Sequence, residues 1–337
     1  MKKNISYSIL ELAIVAQGSG YSEALHNSRA LAKVAEANGY KRFWFAEHHN
    51  SESVASSATS ILIGYVAENT KNIRVGSGGI MLPNHSPLII AEQFGTLAQL
   101  YPGRIDLGLG RAPGTDTATA MAIKSDFMQA AHSFPGEIRK IETYFSDKNK
   151  TAKVRVGIAE GVDVPLYILG SSTDSAYLAA EKGLPYAFAS HFATTHLHAA
   201  LNIYNQKFQP SEILQQPYTM AGINVIVADT DEEAERLFTS VIRMFYGLLT
   251  GNTQPLHPPA EMTSEWREVL AHPTVQQMLK YSFVGNKQTV KDQVRTFLEK
   301  TSVDELIIVS TIYSIEDRIK STISFAEIMQ ELNEEKK

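Results

Sequence analysis

Glu47, His48 and His49 follow directly on Arg42-Phe43-Trp44-Phe45-Ala46, so an apolar, aromatic strand runs straight into one acid and two imidazoles. Strand residues favour burial, whereas a carboxylate and a histidine need hydrogen-bond partners or a reaction to serve. Setting them at a strand's carboxyl end is how α/β proteins expose reactive groups at the mouth of the sheet. Three readings of the trio are open: a metal site, a pair of structural histidines, and a catalytic or ligand-contacting histidine. Adjacent strand residues point to opposite sides, which argues against both imidazoles holding one ion. For the same reason Glu47 can orient His48 only where the chain kinks.

Four more motifs bear on chemistry. Gly76-Ser77-Gly78-Gly79 removes side chains where a strand would carry bulk, which suits a bulge, the close approach of a flat ligand, or a turn with no ligand at all. Arg111 follows Asp106-Leu107-Gly108-Leu109-Gly110 and suits a phosphate, or a salt bridge to Asp106 or Asp116. Gly170-Ser171-Ser172-Thr173-Asp174-Ser175 leads into a helix, where backbone N–H groups and the dipole make an anion site, or where Ser and Asp simply cap. His191 ends a later strand, as a mouth residue or as a core or surface one, and His196 and His198 sit at a helix start facing water. The stretch Gly108 to Gly114 misses the dinucleotide fingerprint, because Pro113 holds the third glycine's place. There is no P-loop lysine, zinc-protease His-Glu pattern or nucleophile elbow.

The elements that must position these residues alternate. Strands are expected at 5–15, 42–46, 73–81, 104–110, 164–169, 186–189, 221–228 and 305–310. Helical patterns fill the intervals, such as 23–38 before Gly39 and 87–100 before Pro102-Gly103. Eight strands, each followed by a helix, predict an α/β (β/α)8 TIM barrel with inserted loops, as one domain over residues 1–337. Residues 115–163 hold helix plus a Lys-rich turn, and residues 250–273, rich in proline and polar side chains, read as an inserted loop or lid.

Composition narrows the function classes. The 337 residues are 44% hydrophobic and 20% charged, which is globular, and a net charge of −5 with mixed signs argues against a nucleic-acid partner. The absence of cysteine excludes disulfides, thiolate metal sites and cysteine nucleophiles, and is compatible with a cytoplasmic location. Lys2 and Lys3 before an apolar run superficially suggest a signal peptide, but Glu11 inside the run and the missing cleavage site favour a first barrel strand. No apolar run approaches the ~20 residues that cross a bilayer.

Taken together, several stretches resemble the bacterial luciferase-like family of flavin-dependent monooxygenases. They are Phe43 to His49, Val75-Gly76-Ser77-Gly78-Gly79-Ile80-Met81-Leu82-Pro83, Ala91-Glu92-Gln93-Phe94, Pro102 to Gly114, Leu169-Gly170-Ser171-Ser172 and Gly183 to Phe192. The resemblance runs from the first strand to the last helix. It implies a (β/α)8 barrel, FMN as the flavin, a homodimer packed through barrel helices, and a small organic substrate oxygenated by reduced flavin and O2. A separate flavin reductase is a further implied partner. Residue by residue, His48 matches the active-site histidine. Gly78 and Gly79 match a pair, often joined by a non-proline cis peptide, that supports the flavin ring. Arg111, Ser171, Ser172 and Ser175 match the phosphate site, and no metal is implied. Luciferase proper carries a cysteine where this chain has Gly110 and an acid where it has Ser171, which argues against light emission. The rival readings are a deazaflavin-dependent hydride-transfer enzyme, a flavin-binding protein without turnover, and a metal hydrolase.

Overall fold

The computed structural model describes residues 4–335. Among them run the strands β1 (Ser6–Glu11), β2 (Arg42–Phe45), β3 (Arg74–Met81), β4 (Ile105–Gly110), β5 (Leu166–Gly170), β6 (Tyr186–Phe188), β7 (Thr219–Val227), β8 (Ser282–Gly285) and β9 (Glu305–Val309). Eight form a parallel ring in the order β6-β5-β4-β3-β2-β1-β9-β7, and β6 pairs back to β7 to close it. Helices cover the outside, so the fold is the expected (β/α)8 barrel. No helix among the described residues is long and apolar enough to cross a membrane.

Each of the eight expected strand positions coincides with a barrel strand, with two differences. The first strand stops at Glu11 and does not reach Val15, because Ala13 takes a positive φ of 50° and its N–H turns back to the Glu11 carboxylate at 2.7 Å. The strand β8 had no expected counterpart. It lies beyond the closed ring and pairs with Asn224–Val227, past the stretch of β7 that meets β6. Four residues, Ser-Phe-Val-Gly, are too few to show a period.

Alternation along each strand divides the core into two layers. Outward-facing Phe43, Phe45, Val75, Leu107 and Ile168 pack under the helices with Leu31, Ile63, Phe94 and Phe325. Inward-facing Leu10, Trp44, Tyr167, Met220 and Ile307 fill the barrel. The strands β3 and β4 approach so closely that a Cβ on Gly76 would lie 2.4 Å from the Asp106 carbonyl oxygen, and one on Gly108 would lie 2.2 Å from that of Ser77. Residues 250–273 hold the helix Ser264–Ala271 and are pinned to the loop after β1, where Leu256 exchanges backbone hydrogen bonds with Val15 and Gln17 at 2.8 Å each.

The amino-terminal end of the barrel is filled by charge. Arg42, fully buried, donates to Glu305 at 2.8 and 3.1 Å, to Asp106 at 2.7 Å and to the Tyr167 hydroxyl at 2.7 Å. Asp106 also accepts from Trp44 Nε1 at 3.0 Å and Arg74 Nε at 2.8 Å, while Glu305 accepts from the hydroxyls of Ser8 and of Tyr218, the latter at 2.6 Å. Buried ions are tolerated only when paired and hydrogen-bonded, and removing one partner strands the others. Arg42→Met is therefore expected to cost about 3–5 kcal/mol in urea unfolding. A loss under about 1 kcal/mol would show that Arg74 and Lys41 can hold both acids without it.

Candidate active site

The opposite end of the barrel is built differently. Past β2 the chain keeps the alternation of a strand, so Glu47 turns to the side of His49 and away from His48. Its buried carboxylate accepts from His49 Nε2 at 2.8 Å, from His85 Nε2 at 2.9 and 3.0 Å, from Asn84 Nδ2 at 3.1 Å and from the Met81 N–H at 3.0 Å. Burial alone would raise its pKa, but the bonds from His49, His85 and Met81 outweigh burial and hold it at about 2. The loop after β4 joins the same knot: Asn84 Nδ2 reaches the Pro113 carbonyl at 2.8 Å, and Thr115 Oγ1 reaches that of His49 at 3.2 Å. Among the described residues no three His, Asp or Glu side chains are arranged to hold a metal.

His48 is left over from this knot. Its Nδ1 is buried and finds no partner among the described residues. Burial lowers its pKa, with His49 adding to the effect and Glu47 opposing it. Beside it opens a cavity of about 450 Å³, lined also by Tyr21, Leu25, Asn50, Glu52 and Val54. That volume suits a small organic molecule.

The glycine pair lies inside β3, where the register against β4 shifts between Ser77 and Ile80, and the Gly78–Gly79 peptide is cis. The missing side chains have an internal explanation. A Cβ on Gly78 would meet Leu10 at 2.7 Å, and one on Gly79 would meet the Gly108 carbonyl oxygen at 2.7 Å.

Arg111 stands at the mouth past β4, half exposed. Its expected partners Asp106 and Asp116 are engaged elsewhere, Asp106 with Arg42 and Arg74, and Asp116 with Thr119 as a helix cap. Arg111 instead meets Asp174 at 3.2 Å, in the first turn of the helix Thr173–Lys182. Ser171 and Ser172 precede that helix. Ser172 occupies the N-cap position but makes no side-chain capping bond, and Ser175 Oγ donates to the Ser172 carbonyl at 2.8 Å and lies 3.0 Å from the Tyr186 hydroxyl. The capping alternative is thus absent at Ser172, and helix N–H groups remain open beside an arginine.

The structure therefore brings His48, Gly78, Gly79, Arg111, Ser171, Ser172 and Ser175 to the carboxyl-terminal half of neighbouring strands β2 to β5. It sets His196 and His198 apart, exposed at the start of the helix Leu197–Lys207. His85 and Asn84, which complete the Glu47 knot, carried no signal in sequence. They come from a turn 37 and 38 residues away, and only the fold reveals the contact.

A barrel whose reactive groups line the carboxyl ends of its strands is shared by many enzymes, so sequence has to decide among them. The pattern that defines the luciferase-like monooxygenases matches residues 7–305. The chain belongs to that family. It is 45% identical over 330 residues to a protein of Escherichia coli (strain K12) named luciferase-like monooxygenase, covering 98% of each. The solved apo form of MsnO8 superposes with a TM-score of 0.88 at 31% identity, over 97% of this chain and 99% of the other. The oxygenating constituent of 3,6-diketocamphane monooxygenase from Pseudomonas putida, solved with FMN, shares the fold at TM-score 0.72 and 16% identity, over 96% and 97% of the two chains.

The Glu47 knot has a pH signature. Its carboxylate titrates below the ordinary value, so the stability it contributes is full above about pH 4.5 and is lost as pH falls toward 2. The drop from 4.5 to about 2 corresponds to about 3 kcal/mol. Glu47→Gln is expected to lower unfolding free energy by roughly 2–3 kcal/mol at pH 7, with the gap to wild type narrowing below about pH 4.5. Equal stability of the two proteins across pH 4–8 would refute the assignment.

Proposed function

We propose that the chain is an FMN-dependent monooxygenase that uses reduced flavin and O2 on a small organic substrate. The observation that carries this reading is the uncapped start of the helix Thr173–Lys182 beside Arg111. Helix N–H groups, serine hydroxyls and a guanidinium together are the donor set a phosphate monoester requires. Arg111 now spends its charge on Asp174, an exposed pair of little energetic value, so a phosphate can take Asp174's place. Membership in the monooxygenase family and the FMN-bound neighbour of the same fold support the choice of flavin.

The residues fit the cofactor. Arg111, Ser171, Ser172 and Ser175 would hold the phosphate, and the Gly78–Gly79 backbone would support the ring. Reduced FMN, when bound, supplies the electrons that activate O2. His48 is neutral at pH 7, since burial keeps its pKa low, and it can give or take a proton at the mouth. The segment at 250–273 would limit water at the mouth as a lid, hinged outside its fixed point at Leu256. Reduced flavin would come from a separate reductase. Ile61, Ile89 and Leu100, exposed on the adjoining helices Thr59–Glu68 and Pro87–Leu100, would form the contact of a homodimer.

Cofactor choice is tested by titrating the protein with FMN, riboflavin and a deazaflavin. FMN is expected to bind tightest, and Arg111→Ala is expected to weaken FMN about tenfold while leaving riboflavin unchanged, about 1.4 kcal/mol being the share of one charged phosphate contact. A preference for the deazaflavin, or equal affinity for FMN and riboflavin, would overturn the reading.

The role of His48 is tested by stopped-flow reoxidation of reduced FMN in the presence of O2. His48→Ala is expected to keep FMN affinity and to change the reoxidation rate at least tenfold. Wild type should show a titration below the ordinary imidazole value of about 6.5, absent in the variant. Matching rates and matching pH profiles would remove His48 from the reaction.

A further inference from the structure

The helix Asp231–Thr250 and the segment at 250–273 flank a second cavity, of about 230 Å³, which shares no lining residue with the cavity beside His48. Arg243, Met244, Tyr246, Leu256, His257 and Trp266 are among the residues that line it, and no Asp or Glu does. Arg243 brings a full positive charge. Its guanidinium lies over the Trp266 ring, 5.6 Å from the centre, and makes no ion pair or hydrogen bond among the described residues. Neighbouring arginines are paired: Arg236, two turns earlier on the same helix, holds Glu233 at 2.8 Å, and Arg267, next to Trp266, holds Glu235 at 3.0 Å.

An arginine without an acid is not by itself a site, and Arg29 and Arg139 are two others among the described residues. Arg243 differs in its setting. It is half-buried in a concave wall, and a guanidinium held over an aromatic ring keeps its N–H edge free for a partner in its own plane. His257 in the same wall adds no charge: its Nε2 lies 2.8 Å from Gln254 Oε1, and burial, then the charge of Arg243, lower its pKa. The cavity therefore presents one positive charge on a neutral, largely aromatic and apolar lining. The carboxyl end of the helix Asp231–Thr250 would by itself repel an anion. Its last carbonyls are occupied, however: that of Gly247 accepts from the Asn252 N–H at 2.9 Å, and that of Tyr246 from Thr250 Oγ1 at 2.9 Å.

We propose that this cavity is a second binding site, which takes the carboxylate of a small organic acid on Arg243 and its apolar body against Trp266, Tyr246 and Met244. One guanidinium suits one negative charge and can grip a carboxylate at two points. A doubly charged phosphate fits less well at the carboxyl end of a helix, where no helix-start N–H groups face it. The volume is below the range of about 300–1,000 Å³ common for ligand pockets, so the body is a single ring or a short chain. Val15 stands between the two cavities. Its carbonyl accepts from Leu256 of this one at 2.8 Å, and its N–H donates to Ser53, next to Val54 of the other, at 2.9 Å. None of the lining residues belongs to the flavin site proposed above, so either site can fail alone.

Trp266 reports on the cavity directly, because the other tryptophan, Trp44, is fully buried and bonded to Asp106 at 3.0 Å. The protein as purified is titrated with benzoate and with benzamide, its uncharged counterpart of the same shape, while tryptophan fluorescence is followed. Benzoate is expected to bind with a Kd of about 1 mM or tighter, and benzamide about tenfold more weakly, the share of one charged contact. Arg243→Gln should weaken benzoate about tenfold, leave benzamide unchanged and keep the Tm within about 2 °C of wild type. Added sodium chloride should weaken benzoate binding to wild type and leave benzamide alone. Should the variant fail to fold, the salt series decides without it. Equal affinity for the two compounds overturns the assignment, as does benzoate binding that neither Arg243→Gln nor salt weakens. Tighter binding of inorganic phosphate than of benzoate, or no fluorescence change at about ten times the expected Kd, overturns it too.

Discussion

The mouth of this barrel depends on one carboxylate. Glu47 leaves the end of β2 and collects hydrogen bonds from two histidines, an asparagine and a backbone N–H, drawn from its own turn and from the turn after β3. Through Asn84 and His49 the loop after β4 is bound to the same point. A buried charge with fewer partners would neutralise or unfold its surroundings; with this many it fixes the turns at that end to one another. Rigidity here has a chemical use. By turning Glu47 into the knot, the chain sends the next residue, His48, the other way and leaves it without a partner.

The two ends of the barrel thus follow opposite rules. At the amino-terminal end every charge is answered: Arg42 is shared by Asp106 and Glu305, and those acids in turn bind Trp44, Arg74, Ser8 and Tyr218. At the carboxyl-terminal end the frame is answered and the interior is not. Among the described residues the buried Nδ1 atoms of His48 and His191 find no partner, and Ser172 makes no capping bond at the start of the helix Thr173–Lys182. In a barrel of this kind stability is concentrated below and reactivity above. The close packing of β3 on β4 links the ends, because glycines let the two strands touch at Gly76 and again at Gly79.

How far the sequence could be read depended on how local each interaction is. The eight barrel strands were legible because burial on both faces writes a continuous apolar run. His48 was legible because a polar residue after such a run is conspicuous, and the divergence of strand neighbours that parts it from Glu47 could be stated in advance. The partner of Arg111 was not legible. Asp106 and Asp116 are near it in sequence, yet Asp174 is near it in space, across the gap from β4 to β5. His85 and Asn84 were missed for the same reason. The strand β8 was hidden by brevity, since its four residues pair only with the outer end of a longer strand. The serines before the helix Thr173–Lys182 show the converse limit: their residue types permit capping, and only coordinates reveal that Ser172 does not cap.

Histidine type therefore says little at this mouth, whereas histidine pairing says much. Four imidazoles lie within the turns that follow β2, β3 and β6, and the residue name alone cannot rank them. His49 and His85 spend a ring nitrogen on Glu47, so they hold the frame and contribute to the low pKa of that acid. His48 and His191 are driven neutral by burial and have a nitrogen to spare. Each unpaired nitrogen costs stability, so pairing, and not residue name, separates the histidines of the frame from the other two.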